Sequence, residues 1–355
     1  MKKAGKILIF IIFSIVCALS LYLIFMQMTD YNPKEKVTLD INNNQSVPLK
    51  TDFKYTLMTY NIGYCGLDDS QDFFMDGGRG SRSKSKEKTL ENLTGIKSVI
   101  SKYNPDLLLL QEVDTKSLRS FNIDEYQNLI DTFSNYGDTY AFNYKTNWVP
   151  VPLEKPMGYV NSTLVVMSKY NILNSTRYQY PGKEFWPKYL MDLDRCFDEA
   201  VISVENGKKL ILVNSHLSAY DKGGVIRKQQ LDYLSKYMKE QRDKGNYVII
   251  GGDFNHVIPG SNPDNFKHKE PWPEWLQKLP ADFKPEGYKW VYDANTPSVR
   301  TIAKNYVVGD NFLAVIDGFL VSDNIEIEDV KGIQTNFKFS DHNPVTVSIK
   351  LTNGK

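Results

Sequence analysis

The sequence predicts an α/β domain whose sheets are covered by helices, carried behind one apolar helix. Three observations lead there. Seven short apolar runs rich in branched residues read as buried strands. Two other segments place their apolar residues at helical spacing. Residues 7–26 are almost wholly apolar, and about 20 residues of helix cross a bilayer core. Composition agrees: 41% of the 355 residues are hydrophobic and 24% charged. Such values exclude a disordered tail, a fibrous repeat and a polytopic membrane protein. The chain is long enough to bury a full core without disulfides. Its 3 cysteines set no disulfide framework and have no metal-ligand spacing, so zinc is not expected. Whether Cys65 and Cys196 pair stays open.

In chain order, residues 1–6 carry Lys2, Lys3 and Lys6, and no further basic residue follows until Lys34. By the positive-inside rule, residues 1–6 stay in the cytoplasm, residues 7–26 form a transmembrane anchor and the remainder faces outward. The rival is a cleaved signal peptide, whose apolar core is about 7–15 residues before small residues. This run is longer, and Leu21-Tyr22-Leu23-Ile24-Phe25 fills the place of a cleavage site. Residues 27–52, with Asn42-Asn43-Asn44-Gln45-Ser46 between Pro33 and Pro48, read as a linker. Residues 53–350 follow as a single domain. Its expected strands are Tyr55–Tyr60, Asp106–Leu110, Thr163–Met167, Leu210–Asn214, Tyr247–Ile250, Ala314–Val321 and Val345–Ile349. One helix is expected from Leu90, Leu93, Ile96, Val99, Ile100 and Tyr103. A second follows from Leu231, Leu234 and Met238, with Gly245 as its stop.

The strand ends carry the chemistry. Asn61, Glu112, His216, Asp253 with Asn255, and Asp317 each follow an apolar run, and Asp341 with His342 precede the last one. Ligands of open α/β sheets gather where strands end, so residues distant in sequence are expected to converge. Taken singly, each is as well explained by a turn or a solvated strand end. Together they supply four carboxylates, two amides and two of the chain's 4 histidines. Carboxylates and amides without cysteine form a hard-oxygen site suited to Mg²⁺, with Mn²⁺ as the alternative. Such a cation neutralises phosphate oxygens during in-line attack. The chemistry points to metal-assisted hydrolysis of a phosphate ester. No G-x-S-x-G elbow and no Walker loop is present.

Six segments in order, MTYNI, LLLLQEVD, VNSHLS, GGDFNH, VIDGFLVSD and FSDHNPV, resemble the endonuclease/exonuclease/phosphatase superfamily over nearly all of residues 54–350. The whole chain is similar to uncharacterised membrane-tethered members from Gram-positive bacteria. The resemblance implies a four-layer α/β sandwich, two packed mixed sheets with helices outside and the active site at one rim. It implies Glu112 as principal Mg²⁺ ligand, with Asn61 and Asp341 completing the site. Asp253 would activate the attacking water and Asn255 would hold the phosphate. His342 would contact the scissile phosphate, oriented by Asp317, and His216 would serve the leaving group. Asn161 is expected as a further phosphate contact.

The substrate is less legible. Outside residues 1–26 there are 40 basic against 42 acidic residues, which does not favour a dedicated nucleic-acid binder. The five basic residues of Arg79–Lys88 read as a solvated loop. Trp272, Trp275 and Trp290 lie in a long insertion, residues 262–300, and read as packing it onto the body. Arg300, which closes the insertion, is expected to bind a phosphate or pair with an acid. VIDGFL at Asp317 departs from the inositol-phosphatase signature. Nucleic acid and phospholipid both stay open as the phosphate-ester substrate, and no obligate protein partner is inferred. The competing class is a non-catalytic surface module on the same fold.

Overall fold

The computed structural model describes residues 2–352 apart from 222, 281, 282 and 284. Among the described residues the α-helices are α1 (Lys2–Met28), α2 (Lys86–Tyr103), α3 (Glu125–Thr132) and α4 (Val225–Asp243). The principal strands are β1 (Lys36–Thr38), β2 (Lys54–Asn61), β3 (Leu107–Asp114), β4 (Gly137–Val149), β5 (Gly158–Ser168), β6 (Ile172–Gln179), β7 (Cys196–Ser203), β8 (Lys209–His216), β9 (Tyr247–Asp253), β10 (Tyr288–Val291), β11 (Asp317–Ser322), β12 (Ile325–Gly332) and β13 (Val345–Leu351). Among the described residues they form a seven-stranded sheet, β1-β6-β7-β8-β9-β11-β10, and a six-stranded sheet, β12-β13-β2-β3-β5-β4. Both are mixed: β2 runs parallel to β3 and β8 to β9, while the other pairs are antiparallel.

Period-two alternation explains why the central strands read as continuous apolar runs. Leu107 and Leu109 of β3 point between the sheets, where they meet Leu212, Ile249, Phe319 and Val347. Leu108 and Leu110 point outward, beneath Leu93, Ile96 and Ile100 of α2 and Leu129 of α3. On the other side, Val213, Val248 and Ile250 lie beneath Leu231, Leu234 and Met238 of α4. Strands buried on both faces lose their polar alternation. The result is the expected four-layer sandwich, helix–sheet–sheet–helix.

Local signals set the helix ends. The Ser85 side chain accepts from the Lys88 amide to cap α2, and Asn104 closes it in the left-handed region. Leu90, expected on the buried stripe, is exposed, because the stripe begins one turn later at Leu93. Trp272 packs on Phe312, and Trp290 lies between Phe254 and Phe283, so the insertion is fastened to the body as expected.

Two expectations change. Ala314–Val321 is not one strand: it breaks before Asp317, whose amide donates to the Ser298 hydroxyl. Residues 27–52 are no free linker. β1 pairs with β6, Asn42 bridges Asp138, and Leu49 is fully buried in the inter-sheet core beside Val204. The polar asparagines hid this strap, because their side chains serve as partners: Asn43 donates to the Ser134 and Tyr136 carbonyls and Asn44 to that of Ile172. Cys65 and Cys196 are both buried free thiols.

Candidate active site

Register brings the polar strand ends together. Asp253 pairs with His216 on one side and Asp317 on the other, so three of the expected residues form a row across β8, β9 and β11. The approach to Asp253 is tight. A Cβ on Gly252 would lie 1.9 Å from the Ser215 carbonyl oxygen, so only glycine fits there. In the facing sheet, the β3–β5 register shifts between Leu110 and Val113, and Glu112 sits in that irregularity with φ +55°. A non-glycine residue held in the left-handed region stores strain, which recurs at functional sites. The bulge turns the Glu112 side chain to the cavity.

The Asn61 amide is oriented by the Gly63 amide, which donates to its Oδ1 at 3.0 Å. Its Nδ2 then donates to Asp253 Oδ2 at 3.1 Å and approaches Glu112 Oε1 at 3.4 Å. Asp253 Oδ2 is the hub: His216 Nε2 lies at 3.3 Å and His342 Nε2 at 3.7 Å. Its Oδ1 accepts from the Asn255 amide at 2.9 Å, while Asn255 Nδ2 donates to the Leu217 carbonyl. His342 Nδ1 is held by Asp317 Oδ2 at 2.8 Å, leaving Nε2 directed at the hub.

Burial and charge divide the two imidazoles. Burial pulls His342 down, but Asp317, Asp253 and Asp341 outweigh it and hold its pKa at about 10. His216 moves the other way, well below the usual value, through burial and the cations of Arg195 and His342. The site thus presents a cationic His342 beside a neutral His216. Burial and Asp317 push Asp253 up to about 7, against the pull of His342. A base with a pKa near neutrality suits proton removal from water. His342 has a folded pKa above its unfolded value of about 6.5. Its charge therefore stabilises the fold in full below that value, and this contribution is lost as pH rises toward 10. The melting temperature of metal-free protein is expected to fall across that window, and His342→Gln to remove that part of the slope.

Glu112 and Asp341 line the cavity, with Asn61 buried beside Glu112. Burial raises Asp341 to about 6; His342 lowers it and the Glu112 carboxylate adds to the rise. Two carboxylates facing one cavity, with no thiolate, suit a hard divalent cation; Asn61 turns Nδ2 toward Glu112, so its Oδ1 would join them only once the amide turns over. Asp253, Asp317 and His342 also bring ligand atoms within 4.8 Å of one another. There, however, Nδ1 of His342 and Oδ2 of Asp317 already satisfy each other.

Two expected contacts are not in place. Asn161 points away from the cavity and donates to the Lys116 carbonyl; Ser162, one position on, lines it instead. The β4–β5 register shifts between Phe142 and Tyr144, so Asn143 also reaches the cavity. Arg300 borders the cavity, but its guanidinium is spent on the carbonyls of Thr301, Lys304, Leu67, Asp68 and Gln71. It ties down the segment after β2. Arg300→Met is expected to cost about 3 kcal/mol or more in chemical unfolding, by leaving buried carbonyls unpaired, without changing the KM for a small diester.

Two arginines went unnoticed in the sequence because they stand in irregular turns outside any motif. Arg119 grips Asp114 through two hydrogen bonds of 3.0 and 2.9 Å, stacks on Tyr64 at 3.9 Å and lies 3.8 Å from Glu112. Arg195 lines the cavity, and its Nη1 is buried without a hydrogen-bond partner among the described residues. It keeps a terminal nitrogen for an anion, whereas both terminal nitrogens of Arg300 are engaged and only its Nε is left unpaired among the described residues.

The cavity has a volume of about 440 Å³. Beyond the polar floor its walls are apolar, with Leu67, Phe73, Phe74, Tyr144, Val149 and Met157 among them.

Residues 58–342 match the sequence profile of the Endonuclease/Exonuclease/phosphatase family. TDP2 from D. rerio, solved with a single-strand DNA product, superposes with a TM-score of 0.53 at 18% identity, covering 84% of this chain and 100% of that one. A family protein from Leptotrichia buccalis C-1013-b gives 0.52 at 13% identity, covering 83% and 99%. A curated relative, the inositol phosphosphingolipids phospholipase C of Schizosaccharomyces pombe, is 28% identical over 193 residues. That match spans 52% of this chain and 40% of the relative. The ordered motifs, the four-layer sandwich and the profile match agree, and the chain belongs to the Endonuclease/Exonuclease/phosphatase family.

Proposed function

We propose that the chain is a membrane-anchored, outward-facing, divalent-metal-dependent phosphodiesterase whose substrate carries an apolar group beside the scissile phosphate. The observation that carries this is one cavity with two characters: a floor holding Asp253, His342, His216 and Glu112, and apolar walls. A polyanionic strand needs a basic track, whereas these walls suit acyl or aromatic groups. The similarity to a phosphosphingolipid phospholipase C points the same way.

Glu112, Asn61 and Asp341 would hold the cation, which supplies charge neutralisation at the phosphate oxygens. Asp253 takes a proton from the attacking water, cationic His342 faces the phosphate, and Asp317 fixes the His342 ring through Nδ1. Asn255 borders the same space, and Arg195 is placed to meet a phosphate oxygen. Neutral His216 stands beside the hub, where its ring can donate a hydrogen bond that stabilises the leaving oxygen. Apolar α1, exposed over most of its length up to its end at the domain, supports the anchor reading, and Lys2, Lys3 and Lys6 support an inward N-terminus.

The test is a series of p-nitrophenyl alkyl phosphodiesters of increasing chain length. Each methylene entering the walls is worth at most ~0.8 kcal/mol, so kcat/KM should rise up to about fourfold per methylene. A flat series, with DNA as the better substrate, would overturn the apolar reading.

A further inference from the structure

We propose that the domain lies mouth-down on the bilayer crossed by α1, so that phosphoesters carried by that membrane are what enter the cavity. This rests on the phosphodiesterase reading above, and it adds an orientation and a source of substrate.

The end of α1 is fastened to the domain. Met26 is only 2% exposed, and the Tyr22 hydroxyl donates to the Trp148 carbonyl at 2.9 Å. The Tyr189 hydroxyl donates to Gln27 Oε1 at 3.1 Å, and Asn147 Nδ2 to the Thr29 carbonyl at 3.0 Å. These contacts fall on the end of β4 and on the short turn Lys188–Met191. A helix held at two places does not swing freely about its exit, so crossing the bilayer fixes the tilt of the domain.

The same two segments build the mouth of the cavity. The chain leaving β4 supplies Val151 and Met157 to its lining, and the chain around the turn supplies Met191 and Leu193. Their tips turn apolar groups outward: Leu153 is 85% exposed, Phe185 70% and Trp186 56%. Large exposed apolar groups clustered beside a cavity mark a contact surface. Tyr22 and Trp148 are of the types that gather at headgroup depth. One surface therefore joins the helix exit, the apolar tips and the cavity mouth, and the occupant it fits is the bilayer itself.

The experiment uses the full chain, reconstituted in vesicles of phosphatidylethanolamine and phosphatidylglycerol, with an environment-sensitive fluorophore on Leu153→Cys. The native thiols do not compete, because Cys65 and Cys196 are buried and Cys17 lies in the apolar stretch of α1. A matching label on Leu173→Cys reports the opposite rim, at the far end of β6. The expected result is blue-shifted emission from the first label, quenched by spin-labelled acyl chains, with the second label in water. Phe185→Ser combined with Trp186→Ser should release the Leu153 label to water and reduce release of water-soluble organic phosphate from the vesicles. Hydrolysis of bis-(p-nitrophenyl) phosphate should be unchanged. Two water-exposed labels would overturn the orientation, as would shielding that appears only at high protein density and so reports a second copy. Shielding of the first label with no hydrolysis of any ester would uphold the orientation and sink the phosphodiesterase reading instead.

Discussion

Replacing Asp253 by Ala is expected to lower turnover by about 10²–10⁴-fold, the range of a lost general base, while the chain still folds. The expectation comes from geometry. Asn61 Nδ2, His216 Nε2 and His342 Nε2 all approach one oxygen of this carboxylate. No other carboxylate in the described site gathers both imidazoles. Burial and Asp317 already disfavour its ionised form, so the fold gains little from the charge that catalysis uses. Steady-state rates with a small phosphodiester, alongside thermal melts, separate the two effects. A variant that keeps wild-type turnover would remove Asp253 from the chemistry.

Glu112→Gln is expected to weaken Mn²⁺ binding by about tenfold or more and to lower activity at fixed metal accordingly, because a charged hard-oxygen ligand becomes neutral. The side chain keeps its shape, so calorimetric titration reads the loss of charge alone. Glu112→Gly tests the same position from the other side. With φ at +55°, glutamate occupies a conformation that glycine adopts without cost. The glycine variant should therefore gain about 1 kcal/mol of stability while losing the metal. A variant that loses both metal and stability would show that the strained backbone serves packing and not the site.

The parts of the fold legible in the sequence were those fixed by local period. β2, β3, β8, β9 and β13 are buried on both faces and read as apolar runs, and their ends exposed Asn61, Glu112, His216 and Asp253 to inspection. β4, β6 and β7 escaped because they carry polar residues with partners inside the protein. Asp198, for example, accepts from Ser175, which accepts from Thr139 across the sheets. α3 is only eight residues long, too short for a stripe, although Asp124 caps it by accepting from the Gln127 amide. Asn161 was misplaced because a bulge decides which residue of β5 faces the cavity, and a one-residue shift exchanges the faces. Arg119 and Arg195 stand in turns outside any motif, so neither spacing nor period marks them. Arg300 showed the converse: a basic residue at a suggestive place whose two terminal nitrogens are both directed at backbone.

The most direct test of a metal-dependent diesterase is hydrolysis of bis-(p-nitrophenyl) phosphate by the full chain in nanodiscs, with Mg²⁺ or Mn²⁺ and with EDTA. Turnover is expected that EDTA abolishes, added metal restores and Asp253→Ala lowers by about 10²-fold or more. Turnover that survives EDTA, or is equal in the Asp253→Ala protein, would contradict this expectation.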